Sequence, residues 1–435
     1  MFGPPPPQSG SFGMDEAAQE DDGWLTVNIW SPDLAGALPV MVWIQGGAYL
    51  FGAAHLPEYD GGNLARGGVV LVTFNYRVGL EGFGYVEGTP PNRGLLDQVA
   101  ALEWVRDNIS DFGGDPDRVT IFGQSAGAGS VAALLAMPRA TGLFHRAIAQ
   151  SVPGAFFTPA LAADITRACA TELGLEPAEL VDVEPWLLPA AADEVMKRMG
   201  ECTHRWGPAA AAQIPIAPVV DGDVLPTTPW QGLSGQVDLM VGHTRDEQRL
   251  LSVATGLRGH ITAEQAAETA EMFAPDPAAY RRSFPDPEEL YEVVRSDWLF
   301  RMPSLHLAQA QVAAGGRAHL CELTWPAPGM GGIFGACHGL DVPLVFGNLG
   351  AGQPAMLIGN PDNPEALALS EQMRTAWIAF ATHGDPGWPG HDTGATRVLT
   401  IEPTTGPYPE AWSRQIWQEP PPLLDLIHQS PQRLS

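Results

Sequence analysis

The residue that most plainly could do chemistry in this sequence is Ser125. Residues 119–122 (VTIF) run straight into Gly123-Gln124-Ser125-Ala126-Gly127, and a run of small, helix-compatible residues follows to position 137. Gly-x-Ser-x-Gly between a strand and a helix is the form of a nucleophile elbow, a tight turn that lifts a serine hydroxyl above a sheet. The turn strains the serine's backbone, and glycines at 123 and 127 let strand and helix approach closely. An alcohol is a poor nucleophile at neutral pH. It needs a base within hydrogen-bond reach, and the base needs an acid that fixes its tautomer and stabilises its protonated form. The chemistry implied is acyl transfer.

Where such a serine works in an open sheet, the acid and then the base follow it in the chain. After the apolar run 237–242 (VDLMVG) comes His243-Thr244-Arg245-Asp246-Glu247, which places acids at the end of a strand. After a second run, 319–325 (HLCELTW), comes Gly335-Ala336-Cys337-His338-Gly339. The order Ser125, Glu247, His338 fits. Asp246 lies one residue from Glu247, and spacing alone does not choose between them. His243 precedes both acids, so it would break the order and reads as a structural histidine. Asp221 and Asp223 read as turn formers. An oxyanion needs donors, and the N–H of Ala126, directly after the nucleophile, is one. The small-residue loop Gln45-Gly46-Gly47-Ala48, following the run 39–44 (PVMVWI), can turn further N–H groups toward the same point.

The elements that must position these loops are legible too. Residues 24–30 alternate as an early strand. Residues 39–44 and 69–76 are continuous apolar runs, the mark of strands covered on both faces. Helical spacing of Leu95, Val99, Leu102 and Val105 predicts a helix over 94–109, and 146–151 reads as a short strand after the elbow helix. Strands alternating with helices predict an α/β fold, a mostly parallel central sheet flanked by helices. No linker divides the chain, so residues 1–435 read as a single domain with a largely helical excursion around 160–315.

Composition narrows the function. Acidic residues outnumber basic ones 50 to 23 in 435 residues, a formal charge of −27. A surface that negative repels nucleic acid and anionic lipid, which leaves small molecules as the expected partners. Cys169, Cys202, Cys321 and Cys337 form neither a CxxC pair nor a disulfide framework. Residues 1–13 lack the basic start and apolar run of a secretory signal, and no eighteen apolar residues run together. The expectation is a soluble, cytoplasmic protein using no metal and no organic cofactor.

Taken together, the motifs resemble the type B carboxylesterase family, the carboxylesterase/cholinesterase group of α/β-hydrolases. The matching pieces are Val42-Trp43-Ile44-Gln45-Gly46-Gly47-Ala48, Asn75-Tyr76-Arg77-Val78-Gly79, Gly94-Leu95-Leu96-Asp97-Gln98, Phe112-Gly113-Gly114-Asp115-Pro116 and the elbow itself. Gln150-Ser151, Asp221-Gly222-Asp223, Thr244-Arg245-Asp246-Glu247 and the stretch 338–347 follow in family order. The resemblance implies an α/β-hydrolase fold and hydrolysis of small carboxylic esters through an acyl-enzyme. It implies Ser125 as nucleophile, Glu247 in preference to Asp246 as acid, His338 as base, and Gly47, Ala48 and Ala126 as oxyanion donors. Ser151 would lie beside the triad glutamate. Phe51, Phe156, Phe157 and Phe334, close in sequence to these loops, are candidates to line a substrate pocket, and the assembly expected is a monomer or homodimer.

The sequence departs from the family pattern at three points. Gln45 stands where His or Tyr is common, and should keep hydrogen-bonding capacity. Gln124 stands where Glu is usual, which removes an anion beside the nucleophile. Early strands that members carry before the point equivalent to Gly3-Pro4, and a cysteine near Asp22-Gly23, have no counterpart here, and a missing strand would expose a sheet edge. The competing expectations are therefore a catalytically inactive, esterase-like binding protein and an impaired family member.

Overall fold

The computed structural model describes residues 2–10 and 23–427; part of the 1–13 stretch, and Asp22, lie outside them. Among the described residues nine strands form one sheet: β1 (Val27–Trp30), β2 (Leu38–Ile44), β3 (Val70–Phe74), β4 (Gly114–Gln124), β5 (Arg146–Gln150), β6 (Asp238–Thr244), β7 (Ala318–Leu323), β8 (Thr396–Leu399) and β9 (Thr404–Gly406). Their spatial order is β1-β3-β2-β4-β5-β6-β7-β8-β9. The pairs from β3 to β8 are parallel, and only the outer pairs, β1 with β3 and β8 with β9, are antiparallel.

The apolar runs are buried on both faces because their side chains alternate between two cores. Val40, Val42, Ile44, Val119 and Ile121 enter one cluster, while Met41, Trp43, Phe122, Ile148 and Met240 enter the other. The helix foreseen over 94–109 is observed as Arg93–Asn108, and the elbow helix is Ala126–Ala136. Between 160 and 315 the chain is mostly helical; the exceptions include the irregular stretch 213–228 and β6, which returns to the sheet beside β5. The long helix Pro364–His383 and the short outer strands β8 and β9 are elements that the sequence reading did not place.

Two of the motifs brace one another. The Arg77 guanidinium grips Asp97 with two hydrogen bonds of 2.8 Å, and the Arg77 backbone N–H adds a third at 3.0 Å. This ties the loop after β3 to the Arg93–Asn108 helix. Asn75 accepts from Ala54 N–H, and the Tyr76 hydroxyl donates to the Gln45 carbonyl at 2.7 Å, which fixes the loop after β2. Asp97→Asn leaves a half-buried guanidinium with Glu81 as its remaining carboxylate partner and is expected to lower stability by about 2 kcal/mol. Urea unfolding of the two proteins measures this, and an unchanged midpoint would count against the brace.

Candidate active site

Five strands deliver their C-terminal ends to one edge of the sheet, where ligands collect in open α/β folds. β2 leads into Gln45–Ala48, β4 into Ser125, β5 into Ser151, β6 into Glu247, and β7 into the loop that carries His338. Ser125 takes φ 58°, ψ −126° at the start of the elbow helix, and its N–H donates to Gln150 O at 2.9 Å. The close approach foreseen at the elbow is real: a Cβ on Gly127 would lie 2.0 Å from the Ile44 carbonyl oxygen. Ser151, Ala48 and Tyr49 also adopt positive φ, so backbone strain concentrates around this point.

Glu247 and His338 meet as a pair. Glu247 Oε2 lies 2.5 Å from His338 Nδ1, while Oε1 accepts from Ser151 Oγ at 2.6 Å and from Thr244 N–H at 2.8 Å. Full burial pushes the Glu247 carboxyl up, but the His338 ring and the Ser151 and Thr244 donors outweigh it and hold it below the usual glutamate range. A carboxylate at Nδ1 places the ring proton there and leaves Nε2 as the basic nitrogen. Asp246 is elsewhere: it pairs with Arg245, and its Oδ2 accepts from Ala336 N–H at 2.9 Å. With Asp246 N–H donating to Ala336 O at 2.8 Å, it clasps the acid loop to the histidine loop.

His243 is buried, with Nδ1 at Thr244 O (3.0 Å) and Nε2 at the Tyr408 hydroxyl (2.9 Å); burial lowers its pKa to about 4. Asp221 closes a turn by accepting from the N–H groups of Asp223 and Val224. Beneath the site, Gln150 joins Asp341 (2.6 Å) to Trp377 (3.0 Å), and burial raises the Asp341 carboxyl to about 6.

On the oxyanion side, Gly47 takes φ 111° and Ala48 φ 53°, and the N–H groups of both lack a hydrogen-bond partner among the described residues. They are free to bind an anion. The Gln45 side chain is buried with neither amide atom partnered among the described residues, so it is available to a ligand rather than spent on the loop.

Gln124, singled out in the sequence for the anion it removes beside the nucleophile, makes a direct contact with His338 that the sequence did not suggest. Its Nε2 sits 3.1 Å from His338 Nε2, the nitrogen that would take the serine proton. Among the described residues Ser125 Oγ itself has no hydrogen bond. Gln124→Glu would put a carboxylate against the protonated ring and stabilise it, so the neutral base would form only at higher pH. The acid limb of kcat/KM is expected to move up by about one pH unit. A pH profile of the two proteins checks this, and superimposable limbs would refute it.

Of the aromatic candidates, Phe156, Phe157 and Phe334 are each 1 % exposed and belong to the two cores. Phe156 packs edge-on against Trp230, and the Phe157 backbone bridges to Val219 and Leu424. Only Phe51 is partly buried, beside Gly47, to which its N–H donates. The ring that touches the site is Phe300, stacked on His338 with centroids 4.2 Å apart. It comes from Asp297–Arg301, a π-helical turn inside a longer helical run, a distortion frequent at functional sites.

A strained serine on a strand-to-helix elbow, a histidine held by a buried carboxylate, and unpaired N–H groups in the loop after β2 lie at one edge of an α/β-hydrolase fold. Comparison with known proteins narrows the class. The profile of the carboxylesterase family matches residues 1–411, and the chain belongs to that family. It is 36 % identical to the para-nitrobenzyl esterase of Bacillus subtilis (strain 168), covering 95 % of this chain and 86 % of that one. It is 33 % identical to the fumonisin B1 esterase of Sphingopyxis macrogoltabida, covering 85 % and 70 %. Among solved structures, the Geobacillus stearothermophilus carboxylesterase EST55 at pH 6.2 superposes with TM-score 0.80 at 32 % identity, covering 91 % of this chain and 86 % of that one. The protein is a carboxylic ester hydrolase. Among the described residues no helix is long and apolar enough to cross a membrane.

Proposed function

We propose that the ester is cleaved by Ser125, Glu247 and His338 acting as a triad. What carries the reading is the chain Ser151–Glu247–His338, with contacts of 2.6 and 2.5 Å, at the sheet edge where Ser125 ends β4. Substrate entry exchanges the Gln124 amide on His338 Nε2 for the serine hydroxyl. His338 Nε2 takes the proton as Ser125 Oγ bonds to the acyl carbon, and the carbonyl electron pair moves onto oxygen, facing the N–H groups of Gly47, Ala48 and Ala126. Collapse of this adduct breaks the bond to the alkoxy oxygen, which leaves as alcohol with the proton from His338. Water, deprotonated by the same nitrogen, then attacks the acyl-enzyme; the acid departs and Ser125 regains its proton. Glu247 stays ionised and stabilises the imidazolium in both halves.

The whole chain acts as one catalytic domain on small esters, as a monomer or homodimer. The charge of −27 argues against nucleic-acid partners, and four free thiols fit a cytoplasmic setting. Labelling with a p-nitrophenyl alkylphosphonate tests the assignment. One equivalent of p-nitrophenolate and a phosphonyl adduct mapped to Ser125 are expected; a folded protein that stays unlabelled would mark an inactive binding protein instead.

A further inference from the structure

A second binding feature lies outside the triad. The helices Ala263–Phe273 and Pro287–Ser296 border a groove of about 880 Å³ with apolar walls that include Leu257, Ile261, Met272 and Tyr291. Arg295 forms part of its lining and is only 6 % exposed. Its guanidinium lies 4.7 Å from the Phe273 ring centroid and 5.7 Å from that of Trp298. One long hydrogen bond, 3.5 Å from Nε to Gln248 Oε1, is the polar contact it makes among the described residues, and no carboxylate there pairs with it. Charged side chains are almost never buried without a partner, because desolvation is uncompensated. Burial accordingly lowers its pKa, with Tyr291 opposing. Glu264, Glu268 and Glu271 also line the groove, but all three are exposed, where solvent and salt screen them, and Glu271 is paired with Arg281.

We propose that this groove binds a monocarboxylate with an apolar body, its carboxylate on Arg295 and its body along the walls. A guanidinium presents parallel N–H donors that match a carboxylate bidentately, which a neutral alcohol of the same length cannot reproduce. The aromatic faces on Phe273 and Trp298 hold the guanidinium in place for the ligand. The site does not depend on Ser125 chemistry, so it stands or falls separately from the triad.

Calorimetric titration of the full chain with hexanoate and with 1-hexanol tests the proposal. Hexanoate should bind saturably with a dissociation constant at or below about 1 mM, and hexanol at least tenfold more weakly. Arg295→Met should weaken hexanoate at least tenfold. Ala267→Trp, which fills the groove from an outer helix face and leaves Arg295 in place, should do the same even if Arg295→Met does not fold. Three results would overturn the proposal: equal binding of acid and alcohol, hexanoate binding unaltered by Ala267→Trp, or no saturable binding.

Discussion

Ser125→Ala is expected to lower kcat/KM for short-chain p-nitrophenyl esters by about 10³-fold or more while leaving the unfolding transition in place. Removing a triad nucleophile costs on that order because base, acid and oxyanion donors have nothing left to activate. The residual rate should then reflect water attack on a bound ester. Ser125 contributes no hydrogen bond from its side chain among the described residues, so the substitution should cost little stability, and any fall in rate reads as chemistry. If the variant retained activity within a factor of ten, the nucleophile would have to be sought elsewhere.

Glu247→Gln is expected to cost about 10⁴-fold in kcat with the site geometry kept, since an amide facing Nδ1 donates to it and drives the ring proton to Nε2. The tautomer so fixed cannot accept from Ser125. The same substitution has a stability signature. The folded pKa of Glu247 is depressed, so its contribution is present above the unfolded glutamate pKa and lost as pH falls through the folded value. The difference in Tm between wild type and Glu247→Gln should therefore be largest near neutrality and shrink in acid. A difference that grew on acidification would mean that Glu247 is not held as the carboxylate.

Both predictions rest on residues legible in the sequence, because each sits in a loop directly after an apolar strand. The strands announced themselves by being buried on two faces, as Val40–Ile44 and Val119–Phe122 illustrate. What sequence order cannot supply is reach. Asp246 and Glu247 differ by one residue, yet one points to Ala336 and the other to His338, a distinction made by how the loop after β6 turns. Phe300 was invisible because it sits in an ordinary helical pattern, and the π-turn that tips it onto the imidazole leaves no compositional mark. Phe156, Phe157 and Phe334 misled for the converse reason: closeness in sequence to the loops put them near the site, but the chain turns them into the core. β8 and β9, four and three residues long and partly exposed, carry too little pattern to register.

The Gln124 contact distinguishes this chain's site from the arrangement its family motif implies. An amide neutralises no charge, so it steers the imidazole by geometry alone and leaves the field at the oxyanion less negative. That predicts weaker attraction for cationic esters than a glutamate would give, which the Gln124→Glu variant would also reveal as a lowered KM for such substrates.

The clasp between Asp246 and Ala336 has a consequence for the life of the polypeptide. Ser125 directly follows β4, but the groups proposed to arm it arrive only after β6 has been laid beside β5 and β7 beside β6, and the clasp then locks their two loops together. A nascent or proteolytically shortened chain that ends before residue 338 carries the serine without its base. Latency thus follows from the order of synthesis: a chain without the loop after β7 lacks the proposed base, and reactivity is expected only once that loop has been made.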